Sequence, residues 1–165
     1  YKFDFHLLAD EDTINAFALP GRQIFITYAL FFKLENIDQL AGITGHEISH
    51  VLGRHSAERQ AKDGLTQGII TGVAVGIDPS AAQSASAIAQ LINMKYGRDD
   101  ELQNDEHGVQ FMIQAGYNHE AIIGVMKILK AAAGNNRIPE FQSTHPDPEN
   151  RIEKIKGAIK KYQKY

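Results

Sequence analysis

Two histidines four residues apart, His46 and His50, sit inside one of the clearest helical recurrences in the chain. Asn36 offers a cap with Gln39 three residues on, and Ile37, Leu40, Ile43, Ile48, Val51 and Leu52 recur at helical spacing. The pattern predicts a helix that runs through the histidines to about Arg59. Residues four apart share one helical face, so the two imidazoles aim at one point. Glu47 stands beside the first of them and can reach a water held there. Two neutral nitrogens with an adjacent carboxylate are the skeleton of a zinc hydrolase site. Gly42 and Gly45 lie inside the same helix, where each costs up to about 1 kcal/mol relative to alanine. Small residues there let another backbone pack close.

The rest of the chain must supply a core, a third ligand and a place for substrate. With 165 residues it can bury a core of its own, and a single domain over residues 1–165 is expected. A net charge of −3 gives no sign of a nucleic-acid partner. The one basic cluster, Lys154 to Lys164, reads as the solvated face of a terminal helix. There is no cysteine, which excludes disulfides and thiolate ligands. The chain opens at Tyr1 rather than Met, and a processed or truncated product with its leader or other N-terminal region omitted is expected.

Lys2 to Leu8, Ile14 to Leu19 and Gln23 to Thr27 read as short strands, the last two around the turn Pro20-Gly21, and suggest a small antiparallel sheet. Tyr28 to Leu34 turns into a short helix. Gly64 to Ile77 is apolar and glycine-rich but shorter than the ~20 residues of a membrane span. It reads as a buried or flexible helix near the site, able to act as a lid. Ser80 to Met94 is a helix, Gly97 marks a kink or break, and Asp99 to Ala115 is a second helix closed by Gly116. Asn118 caps a helix from His119 to about Ala132, and Asp147-Pro148 opens the last one. The class is α+β, mostly α.

A catalytic zinc usually takes three protein ligands. Glu101 is the best remaining candidate, followed four residues later by Asp105 on the same helical face. Glu101 can bind the metal while Asp105 accepts the distal N–H of a ligand histidine. The alternative, that both are solvent-facing acids among Asp99, Asp100 and Glu106, stays open on spacing alone.

His46-Glu47-x-x-His50, the glutamate of Arg98-x-x-Glu101-x-x-x-Asp105, and Asn15-Ala16-Phe17-Ala18-Leu19-Pro20-Gly21 upstream resemble one family in order and spacing. It is the gluzincin peptidases of the HtpX and CAAX-prenyl-protease type, metallopeptidase family forty-eight. The resemblance extends to the segment Ser143-Thr144-His145-Pro146 and implies a zincin-like metalloprotease domain with an active-site helix. It implies one zinc per chain on His46, His50 and Glu101, with Glu47 as base and Asp105 supporting a ligand histidine. His145 is a further candidate: a donor to the reaction's developing negative charge, or a fourth ligand that blocks the site; the plain alternative is a loop anchor. Arg151, which follows it, comes near the metal in the family. Gly97 stands where many relatives carry serine before the arginine of the ligand helix. His6, His55, His107 and His119 read as structural.

The same resemblance implies polypeptide substrates, unfolded or misassembled, bound extended along a strand edge, either Gln23 to Thr27 or Ala16 to Leu19. A periplasmic or otherwise extracytoplasmic place is expected, near the soluble exported bacterial members, with no transmembrane segment in this chain and membrane association possible through an omitted N-terminal region. The role implied is envelope protein quality control. The competing expectation is a zinc-bound chaperone-like or self-inhibited module with little proteolysis.

Overall fold

The computed structural model describes residues 2–55, 58, 61–65, 67, 71, 79–133, 145 and 151–163, with the backbone alone for 79–96 and 133. Three strands open the chain: β1 (Asp4–Leu8), β2 (Ala16–Leu19) and β3 (Gln23–Thr27), arranged β1-β3-β2. The sheet is mixed rather than antiparallel. β2 and β3 form the expected hairpin, with Ala16 opposite Ile26, but β1 lies parallel to β3, with Asp4 opposite Gln23. The cause is the link between β1 and β2, which carries the chain across to the far edge instead of reversing it in a tight turn. Asp10 starts that link, its Oδ1 accepting from the Asp12 and Thr13 amides at 3.0 and 2.8 Å. Since β3 is paired on both sides, Gln23–Thr27 is not an edge; among the described residues the edges of the sheet are β1 and β2. Across one sheet face, His6, Phe25 and Phe17 stack in register at 4.6 and 5.0 Å.

A one-turn helix α1 (Tyr28–Phe31) leads to α2 (Ile37–Leu52). Asn36 caps α2 as expected, its Oδ1 accepting from Gln39 N at 2.9 Å. Gln39 reaches back one residue further than a capping box would, to Glu35 N at 2.8 Å. The helix stops at Leu52, well short of Arg59: Gly53 is its C-cap and Arg54 turns the chain with φ 56°. Helix α3 (Pro79–Gln114) is continuous. Gly97 does not break it, because a glycine's cost of about 1 kcal/mol is small beside the packing of a long helix. Gly116 ends it in the left-handed conformation, φ 78°, with Gly116 N bonded to Ile113 O and Tyr117 N to Met112 O. Helix α4 (Ala121–Ala133) follows Asn118, and α5 is described over Arg151–Tyr162. Most of Gly64 to Ile77, and the Asp147-Pro148 start read for α5, lie outside the described residues.

Two apolar clusters hold the layers. Ala16, Leu30, Ile43, Val125 and Leu129 bury together between the sheet, α1, α2 and α4. Val109, Met112, Ile122, Ile155, Ala158 and Ile159 do so between α3, α4 and α5. Helix α2 lies between them and is crossed by α3 at a glycine pair. A β-carbon on Gly108 would lie 3.3 Å from His46 N, and one on Gly45 would lie 3.4 Å from the Gly108 backbone. Backbone against backbone at this point sets Glu101 and Asp105 opposite the two histidines.

Candidate metal centre

Helix α2 supplies His46, Glu47 and His50, and α3 supplies Glu101 and Asp105 on one buried stripe. Arg151 comes from α5, and His145 joins them from the loop candidate Ser143-Thr144-His145-Pro146; all seven are buried. The Nε2 atoms of His46 and His50 are 3.2 Å apart. Glu101 bridges them, Oε2 3.2 Å from His46 and Oε1 3.1 Å from His50. His145 Nδ1 is 3.1 Å from both Glu101 Oε1 and His50 Nε2. One donor atom each from His46, His50, Glu101 and His145 lies within 4.8 Å of the others. The helical candidates and His145 thus meet at one point.

Behind them, His46 Nδ1 lies 3.0 Å from Asp105 Oδ1. Arg151 forks onto the same carboxylate, Nε to Oδ2 at 2.6 Å and Nη2 to Oδ1 at 2.8 Å. Arg151 Nη2 is also 3.4 Å from His46 Nδ1, but the guanidinium is already engaged by Asp105. We therefore assign the Nδ1 proton to His46, donating to Asp105, which leaves the Nε2 lone pair facing the cluster.

The electrostatics favour a cation. Glu47, Glu101 and Asp105 are three carboxylates exposed by at most 1%, facing one buried guanidinium, Arg151. With neutral imidazoles, two negative charges stay uncompensated out of water, a costly arrangement. Burial alone would lower the His46 pKa, but the Glu101 and Asp105 carboxylates raise it to about 10. Burial pushes Glu101 and Asp105 up, yet the His46 and His145 imidazoles hold Glu101 well below its ordinary value, and the Arg151 fork and His46 hold Asp105 low. His50 is lowered, chiefly by burial. A field that keeps a proton on His46 also favours a divalent cation among these donors. Both Glu47 oxygens and Glu101 Oε2 lack a hydrogen-bond partner among the described residues. Oε2 does lie within ion-pair distance of His46 and Arg151, and Glu47 Oε1 is 3.4 Å from His145 Nε2, but neither geometry makes a hydrogen bond. Imidazole and carboxylate donors with buried, unspent oxygens fit a metal such as zinc.

A buried His-His-Glu set on two crossed helices, with a glutamate beside the first histidine, defines the metallopeptidase class. The chain belongs to peptidase family M48, whose profile matches residues 1–159. It is 31% identical over 163 residues to the mitochondrial metalloendopeptidase OMA1 of Schizosaccharomyces pombe, covering 98% of this chain and 48% of that protein. It is 32% identical over 163 residues to the beta-barrel assembly-enhancing protease of Escherichia coli, covering 92% of this chain and 34% of that one. The mitochondrial metalloendopeptidase OMA1 of Bos taurus is 30% identical over 167 residues, with 92% and 32% covered. The chain thus spans between about a third and a half of the length of these relatives.

The remaining histidines lie outside the donor cluster. His107 Nδ1 bonds to Ser49 Oγ at 3.0 Å, and His119 Nε2 lies 2.8 Å from Gln163 Nε2. Nine residues from His46, His55 would lie on the side of an ideal helix opposite the ligand face. Because α2 ends early, it instead packs against His50. Asn104, fully buried beside Asp105, was not among the expected site residues; its place three after Glu101 on the same face was the available signal.

Proposed function

We propose that this metallopeptidase is a zinc-dependent endopeptidase acting on extended or misfolded polypeptides. The carrying observation is the four buried donors within 4.8 Å of one another, with unspent Glu47 oxygens beside them. His46, His50 and Glu101 would hold one zinc; Asp105 fixes the His46 tautomer and Arg151 fixes Asp105. When bound, zinc supplies a Lewis acid toward a peptide carbonyl and makes water acidic near neutral pH. Glu47 takes the proton of the attacking water and returns it to the leaving amine.

Extended substrate is supported by the edge of β2 that faces away from β3, along which no strand pairs among the described residues. Asn15 O accepts from Thr27 N, so by strand alternation the Ala16 carbonyl points away from β3. His145 Nε2 lies 3.2 Å from that carbonyl while Nδ1 faces the donors. In this arrangement His145 is a fourth donor whose Nε2–H spends the Ala16 acceptor that a substrate strand would use. That favours a self-inhibited resting form over a standing donor to the developing negative charge. A role in envelope protein quality control, in an extracytoplasmic compartment, is supported by the name of the bacterial relatives and tested by fractionation. Among the described residues, no helix is long and apolar enough to cross a membrane.

Metal analysis with chelator-sensitive cleavage of unfolded casein tests the reading, and a metal-free protein or chelator-resistant cleavage overturns it. Glu47→Gln should keep zinc and fold while cleavage falls by about 10²- to 10⁴-fold; undiminished turnover removes the base assignment. His145→Ala should raise casein cleavage with zinc retained. Lost turnover in that variant would return His145 to the donor role.

A further inference from the structure

We propose that His55, Asn104 and Asp100 form a positioning array that locks the ring of His50, and through it the donor geometry of the metal centre. The inference rests on the zinc-site reading above. It starts from the end of α2. Gly53 and the left-handed Arg54 turn the chain so that His55 folds back under His50, ring centroids 5.4 Å apart and planes at 89°. Both rings are buried, at 5% and 6% exposure. A β-carbon at residue 53 would fall 2.3 Å from His55 Nε2, so the ring occupies the space that glycine leaves.

A ring used only to fill space needs no polar partners, yet this one has a partner at one nitrogen and a carboxylate near the other. Asn104 Nδ2 lies 3.3 Å from His55 Nδ1, and Asp100 Oδ1 lies 4.0 Å from Nε2. We assign the ring proton to Nε2, on the side of the Asp100 charge, with Nδ1 accepting from the Asn104 amide. Asn104 is 0% exposed, and its Oδ1 has no partner among the described residues. A buried amide that leaves its carbonyl unpaired calls for a reason; aiming Nδ2 at His55 supplies one. The design repeats along α3. Glu101 and Asp105, four apart, face His46, while Asp100 and Asn104, also four apart and one residue earlier, face the ring behind His50.

Zinc affinity of the whole chain, measured by competition with a chromophoric chelator, tests this together with the visible spectrum of the cobalt-loaded protein. Asn104→Ala and His55→Phe should each bind zinc about 10- to 100-fold more weakly, the range for groups that orient metal ligands, with shifted cobalt bands. His55→Phe keeps a ring against His50 without its nitrogens. Wild-type affinity and spectrum in that variant would reduce His55 to packing and overturn the proposal. If Asn104→Ala does not fold, the wild-type protein still decides, through the ¹⁵N shifts of His55: an Nε2–H tautomer supports the array, and an Nδ1–H or cationic ring overturns it. A wild-type chain that binds no zinc removes the metal-site reading and this inference with it, whereas tight wild-type binding matched by both variants removes the inference alone.

Discussion

Glu106, one residue past Asp105, shows how sharply role changes along α3. Half-buried, it accepts from Lys161 Nζ and Tyr162 Oη, each at 2.7 Å, and ties α3 to the C-terminal end of α5. Those hydrogen bonds, Lys161 first, hold its pKa below the ordinary carboxylate value of 4.5. Its folded value is depressed, so its stabilisation is present above 4.5 and fades as pH falls through the folded value. A carboxyl NMR titration should find Glu106 low, and Lys161→Met should bring it back toward 4.5. An unmoved midpoint would dismiss the pair, which as a surface contact contributes little to global stability. Individual site residues were legible where spacing encodes direction: His46 with His50, and Glu101 with Asp105, need only a helix to be brought together. Asn104 was not, because an asparagine on a buried stripe carries no signal of its own until its neighbours are known to face inward.

Among elements, the decisive contact is the crossing of α2 and α3. Gly42 and Gly108 look alike in sequence but differ in what they meet. A β-carbon at Gly42 would touch the Ile122 side chain at 3.4 Å, whereas one at Gly108 would press on the His46 amide nitrogen at 3.3 Å. Gly42→Ala should therefore be neutral or stabilising by up to about 1 kcal/mol through helix propensity. Gly108→Ala should destabilise by about 1–3 kcal/mol, as overpacking does, and weaken metal binding by moving α2 against α3. Urea unfolding and chelator competition measure both, and equal behaviour of the two variants would count against the crossing as the setting of the site. The helices were readable from periodicity, but their limits and pairings were not. Leu52 ends α2 because of a left-handed turn at Arg54, a residue with no intrinsic preference for that conformation. The strand segments were likewise readable, while the parallel placement of β1 depended on where a seven-residue link (residues 9–15) carried the chain.

At the scale of the molecule, the centre draws on α2, α3, His145 and Arg151 of α5, so holding a cation there ties distant parts of the chain together. Zinc bound to the folded state alone adds about 4 kcal/mol of stability when free metal exceeds Kd a thousandfold. At ~2–4 °C per kcal/mol for a chain of this size, stripping the metal should lower Tm by roughly 10 °C. Calorimetry with and without chelator reads this directly, and an unchanged Tm would mean that the cluster does not take up the ion. The two carboxylate charges that Arg151 leaves uncompensated give the same expectation, since the metal-free fold must bear their repulsion.

The meeting of Gly45 and Gly108 has one more consequence. The bite of the donor set, the distance at which the two helices present their ligands, is fixed by main chain and not by any side chain. Substitutions in the surrounding apolar clusters can therefore drift or be redesigned for stability without retuning the metal. The same arrangement leaves evolution almost no graded way to adjust that bite, because the first increment beyond hydrogen at either glycine is already a whole methyl group.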